Sequence, residues 1–184
     1  YKRDTVTPAW MRELAKLSAF DEGPKLAKEY LARHGITLII EKHFKRTFLD
    51  GAAMLDNDRP IVALTLRHDR VDNFWFALLH ELAHVAKHLT PESPVFIDDL
   101  DRTNPQSDEE EADAMAQEAL IPEKSWSTAK VRQTLSSEDA IAFADEIGVH
   151  PAIVAGRLRH EEKNFRLLSH LIGKTGQVSQ TFAL

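Results

Sequence analysis

Cysteine is absent from the 184-residue chain, so neither disulfides nor thiolate ligands are available. Any zinc would have to be held by histidine and carboxylate. No apolar run approaches the ~20 residues of a membrane-spanning helix, and no basic-then-apolar leader opens the chain, so the cytoplasm is the expected compartment. An excess of positive charge is missing too. Lys and Arg number 23 against 29 Asp and Glu, and the net charge of −6 argues against a broad nucleic-acid surface. Repeats and low-complexity tracts are also lacking. The first residue is Tyr1, in a polar stretch, as expected of a piece of a longer protein. What is present, 43% hydrophobic residues over this length, suffices for one ordinary domain with its own core.

The pattern along the chain predicts an α+β fold. Thr7-Pro8 starts a helix with Trp10, Leu14 and Leu17 on one face, and a second helix runs from about Pro24 to His34, stopped by Gly35. Ile36–His43, Thr47–Leu55 and Ile61–Arg67 are strand-like, the last two joined through Asp56–Pro60 as an antiparallel pair. Residues 90–107, with three prolines and several aspartates, are expected to form the longest loop, and 123–135 a further one. Helices follow at about 138–147, 151–161 and 164–172, and the tail after Gly173 is expected to be loosely held. The corresponding organisation is an N-terminal helical segment (1–35), a core (36–160) and a C-terminal helix and tail (161–184) within one domain.

The chemistry concentrates in LLHELAHVAKH, residues 78–88. From Phe74 to Val85 the helix, capped by Asp72 or Asn73, is apolar on nearly every side and belongs in the core. His80, Glu81 and His84 are then polar groups where water is scarce, and an unpaired one costs about 1–3 kcal/mol. His80 and His84 stand about 40° apart around the axis and one turn along it, so both rings can reach one ion, with Glu81 beside them. The competing explanation is a core pair of hydrogen-bonded histidines with Glu81 as counter-charge. His88 extends the stripe but lies about 12 Å from His80 along the axis, too far to share an ion with ~2.1 Å bonds. It is expected instead to be the polar end of the helix, favoured there by the helix dipole.

The better candidate for a third ligand lies in SDEEEADAMAQEALIP, residues 107–122. Ser107 and Glu110 form a candidate capping box. Ala112, Met115, Ala116 and Ala119 make the buried stripe. Glu109 stands about 60° from Ala112, whereas Glu110 and Glu111 are turned away, so Glu109 can point inward. Asp113, one turn on, is placed to hold the second ring nitrogen of a ligating histidine.

HELAH at 80–84 followed by EEEADAMAQEALIP at 109–122 resembles the ImmA/IrrE metallopeptidases, as does the DGAAML and IVALTLRHDRVDNFWFALL text before it. Ala83 replaces the family's usual glycine and Met115 its usual phenylalanine. The resemblance covers about residues 36–160. It implies a zincin-like fold with a small three-stranded antiparallel sheet packed on the HExxH helix, Zn2+ held by His80, His84 and Glu109 in a gluzincin-type set, Glu81 as catalytic base and Asp113 behind the ligands.

A set of two imidazoles and one carboxylate leaves a position open for water, which is the mark of a hydrolytic centre. Peptide-bond hydrolysis is the expected reaction, with the substrate extended along an edge strand at 47–55 or 61–67. His68, Tyr30, His150 and Arg157 are candidates to stabilise the oxyanion. The resemblance implies a protein substrate, a helix-turn-helix repressor or antitoxin, in a stress-response, toxin-antitoxin or mobile-element system of transcription regulation. Two rivals remain: a zinc-bound regulatory or antitoxin domain without proteolysis, and DNA binding through the helix-turn-helix-like residues 140–161.

Overall fold

The computed structural model describes residues 1–43, 50–98 and 106–183. Thr7 caps α1 (Pro8–Lys16), its hydroxyl accepting from the Trp10 N–H, with Pro8 in the first turn where its missing donor is not needed. A 3₁₀ turn at Leu17–Ala19 leads to α2 (Gly23–Arg33), and Gly35 follows with φ +75°, a conformation that favours glycine. Next come β1 (Thr37–Glu41), β2 (Gly51–Asp56) and β3 (Arg59–Thr65). Residues 47–49 of the expected second strand lie outside the described residues. β2 and β3 pair as the expected antiparallel hairpin. Its turn residues Asn57 (φ 46°) and Asp58 (φ 65°) are both left-handed, which matches the turn to the twist of the strands.

The sheet corrects the three-stranded antiparallel expectation. β1 runs parallel to β3, with Thr37 opposite Ile61, and a further strand, β4 (Val95–Asp98), pairs antiparallel with β2, Ala53 opposite Phe96. The result is a four-stranded mixed sheet in the order β1-β3-β2-β4. Hydrophobic alternation fixes which face of a strand is buried and says nothing of its neighbour's direction, which is why the parallel pair was not foreseen. β4 falls inside the segment expected to be the longest loop. Four residues behind Pro94 carry too little pattern to register, and the strand is defined by its ladder to β2. β2 and β3 are therefore interior, and the edges among the described residues are β1 and β4. The expectation of a substrate-bearing edge at 47–55 or 61–67 is overturned accordingly.

One face of the sheet packs on α3 (Val71–Lys87), which is buried from Phe74 through Val85 apart from Phe76 and Ala77. α3 starts earlier than expected, with Arg70 at the cap position and no side-chain cap. Asp72 holds the Arg70 guanidinium at 3.0 and 3.1 Å instead, and its charge suits the positive helix end. α4 (Gln106–Leu120) lies against α3 through Ala112, Ala116 and Ala119. It begins before Ser107, whose hydroxyl donates to Asp108, while Glu110 accepts from the Gln106 side chain, so the expected capping box is not formed.

Short helices α5 (Glu123–Trp126) and α6 (Val131–Thr134) occupy the second expected loop. α7 (Ser137–Ile147), capped by Ser136 and ended by Gly148 at φ 72°, is followed by α8 (Pro151–Glu161). The α8 residues Ala152, Ile153, Val154, Ala155 and Leu158 are buried, and the helix packs on α3 and α7. Of the helix expected over 164–172 only α9 (Ser169–Ile172) forms, after left-handed Lys163 and Leu168. No described helix is long and apolar enough to cross a membrane.

The tail is pinned, contrary to expectation. α10 (Gln177–Phe182) buries Val178 completely, and buried Asp69 Oδ1 accepts from the N–H groups of Val178 and Ser179, each at 3.0 Å. The partner is more than a hundred residues upstream, so no local pattern announces it. Asp69→Ala should lower stability by about 1–3 kcal/mol by stranding those donors, moving the thermal midpoint down by about 2–4 °C per kcal/mol. An unchanged midpoint in circular dichroism would show that this anchor is dispensable.

Candidate metal centre

α3 sets the geometry. Its one-turn spacing stacks His80 and His84 on the face toward α4, where both are buried, as is Glu81 at 1% exposure. The small residues of α4 let that helix approach, and Glu109 meets the two imidazoles. His80 Nε2 lies 3.0 Å from His84 Nε2 and 3.1 Å from Glu109 Oε2, and His84 Nε2 lies 3.6 Å from the same oxygen. Ligands ~2.0–2.1 Å from a tetrahedral zinc are separated by about 3.3–3.4 Å, so these atoms are spaced as one ion requires. His80, His84 and Glu109 could therefore hold a metal. Glu110 and Glu111 are exposed, in keeping with the helix phase that singled out Glu109.

The other nitrogen of each ring is also engaged. His80 Nδ1 is 2.8 Å from Asp113 Oδ1, the contact expected of Asp113. His84 Nδ1 is 2.8 Å from His88 Nδ1, and His88 Nε2 is 3.3 Å from Glu111 Oε2. His88 ends α3 and lies outside the three-residue cluster, as expected, but it is no bystander. The helical spacing 84/88 carried that signal; weighing His88 only as a ligand missed it. Phe96 of β4 stacks on His84, with centroids 3.7 Å apart and planes at 21°, which ties the sheet edge to the site. Burial, and then the neighbouring rings of His80 and His88, lower the His84 pKa from 6.5 to about 3.

Glu81 packs over the start of β2. A Cβ added to Gly51 would stand 2.8 Å from both Cγ and Cδ of Glu81, so only glycine leaves that carboxylate its present place. The four residues considered for an oxyanion are positioned differently. Tyr30 packs at a tilt against Trp10 and His34, His150 Nδ1 accepts from the Ala152 N–H at the head of α8, and Arg157 is bound to Glu123 and Glu161. His68 is exposed before α3. A cavity of about 400 Å³ between α3, α4 and α8 includes Phe76, Asp113, Ile153 and Arg157 in its lining, and so abuts the histidines through Asp113.

The low His84 pKa has a defined consequence for the metal-free fold. An unfolded chain takes up this proton near pH 6.5, whereas the folded chain resists it until about 3. The resulting contribution to stability is complete above about pH 6.5 and is lost as pH falls toward about 3. Urea midpoints of chelator-treated protein should decline over that range, and less steeply in His84→Asn. Equal slopes would contradict the assignment.

The sequence matches the IrrE N-terminal-like domain family (Peptidase_M78) over residues 32–159. A search among curated proteins finds no match. The matched span contains the helix pair, the paired histidines and Glu109, and the chain belongs to this family of metallopeptidase domains.

Proposed function

We propose that this protein is a zinc-dependent endopeptidase. The observation that carries the reading is the convergence of His80 Nε2, His84 Nε2 and Glu109 Oε2 within 4.8 Å of one another, beside a buried Glu81. Two imidazoles and one carboxylate leave a tetrahedral ion an open position, as in catalytic sites and unlike closed structural ones. Zinc bound there would supply Lewis acidity, polarising the scissile carbonyl and acidifying water toward a pKa of ~7.

The remaining steps belong to the chain's own residues. Glu81, adjacent to His80, takes the proton of the attacking water and returns it to the leaving amine. Asp113 accepts from His80 Nδ1–H and leaves the Nε2 lone pair for the ion. With β2 and β3 interior, the sheet edge nearest the histidines among the described residues is that of β4, through Phe96, and an extended substrate would add its strand there.

The substrate we propose is a protein, a helix-turn-helix repressor or antitoxin of a cytoplasmic stress-response, toxin-antitoxin or mobile-element circuit. The family resemblance supports this class. DNA reading by residues 140–161 is less favoured, because the apolar face of α8 is taken up by α3 and α7 and Arg157 is bound to Glu123 and Glu161. A regulator without proteolysis would have no use for a carboxylate at Glu81.

Metal analysis of purified protein should find about one zinc per chain, lost in His80→Ala. Glu81→Gln should keep the zinc and lose about 10²–10⁴-fold in cleavage of a co-expressed cognate regulator. Gly51→Ala should also keep the zinc but impair cleavage by displacing Glu81. Full cleavage by Glu81→Gln would remove the base from this scheme.

A further inference from the structure

The contacts behind His84 differ from those behind His80. His80 meets a carboxylate directly, through Asp113. His84 meets a second imidazole, His88, whose side chain is 10% exposed, and only beyond it a carboxylate. We propose that His88 and Glu111 form a relay that fixes the tautomer of His84, making His88 a positioning residue for the metal ligand. The proposal rests on the metal-site reading above.

The polarity of the relay follows from its outer end. Glu111 Oε1 is 3.3 Å from Lys87 Nζ, so its carboxylate is held in an ion pair. A carboxylate only accepts, so His88 Nε2 carries the proton and donates to it. A second carboxylate, Asp108 Oδ1, stands 4.0 Å from the same nitrogen and favours the same proton position. A neutral ring protonated at Nε2 has its lone pair at Nδ1. That lone pair faces His84 Nδ1 at 2.8 Å, where two lone pairs would repel, so His84 Nδ1 is the donor. His84 is thereby left with its lone pair at Nε2, the atom that faces His80 and Glu109. A surface ion pair thus sets the proton position on a fully buried ring two hydrogen bonds away.

The one-turn spacing of 80, 84 and 88 on α3 makes this possible, because each ring reaches the next while only the first two reach the ion. His88→Ala would open a space beside Phe96 and confuse packing with proton position. His88→Phe keeps the ring and the neighbouring aromatic contact but removes the acceptor. In His88→Asn the amide oxygen can take the place of Nδ1.

The test uses the full chain and zinc itself. Competition against a chromophoric chelator should give a zinc affinity about 10–100-fold weaker for His88→Phe, with His88→Asn close to wild type. Long-range ¹H–¹⁵N correlation spectra of the metal-free wild type should place protons on His84 Nδ1 and His88 Nε2. Equal zinc affinity in His88→Phe, or a proton on His84 Nε2 in the wild type at neutral pH, would overturn the relay. A His88→Phe chain too unstable to assay leaves both the wild-type spectrum and His88→Asn as tests. If the wild type binds no zinc yet shows the stated tautomers, the relay stands as a tautomer lock and the metallopeptidase reading fails.

Discussion

The interaction on which the rest of the structure depends is the contact of two buried imidazoles with one carboxylate across the α3–α4 interface. α3 is apolar on almost all sides, and water cannot satisfy the polar atoms it carries inward. Partners must come from protein. α4 supplies them, and it can do so only because Ala112 and Ala116 let its backbone close on α3. Leucine at either position would hold the helices apart by more than the 3.1 Å contact between Glu109 and His80 allows. Packing and chemistry are thus set by the same small side chains.

The sheet serves the same centre from the opposite side. Phe96 stacks on His84, and Gly51, the first residue of β2, leaves room for the Glu81 carboxylate. β2 and β4 pair directly, with Gly51 opposite Asp98 and Ala53 opposite Phe96, so one ladder fixes both contacts together. A slip of β4 by one residue would turn Phe96 to the other face, and a slip of β2 would bring a side chain under Glu81. The register of this short edge pair is therefore a condition of the site as much as of the fold.

Much of the site was legible because helices are periodic. The 80/84 spacing, the phase that separates Glu109 from Glu110 and Glu111, and Asp113 one turn later all follow from 3.6 residues per turn, and the distances agree with them. The features that were missed depend on contacts distant in sequence. β4 is defined by its pairing with β2, the direction of β1 by its pairing with β3, and the order of α10 by Asp69. His88 is an intermediate case. Its spacing from His84 was visible, but its meaning required Glu111 from another helix.

The arrangement also bears on how metal binding and folding are linked. His80 Nε2, His84 Nε2 and Glu109 Oε2 lie 3.0–3.6 Å apart with both rings buried, a spacing that an ion or a shared proton can bridge. The low pKa of His84 means that its own ring accepts that proton poorly. Their positions are fixed by the packing of α3 on α4 and by the outer partners Asp113, His88 and Glu111. Rings fixed by such outer partners have less ordering to undergo on binding an ion, which favours tight association. A bound ion would add RT ln(1 + [L]/Kd) to the stability of that interface. The outer hydrogen bonds act on the centre by favouring proton positions that leave the inner ring nitrogens their lone pairs.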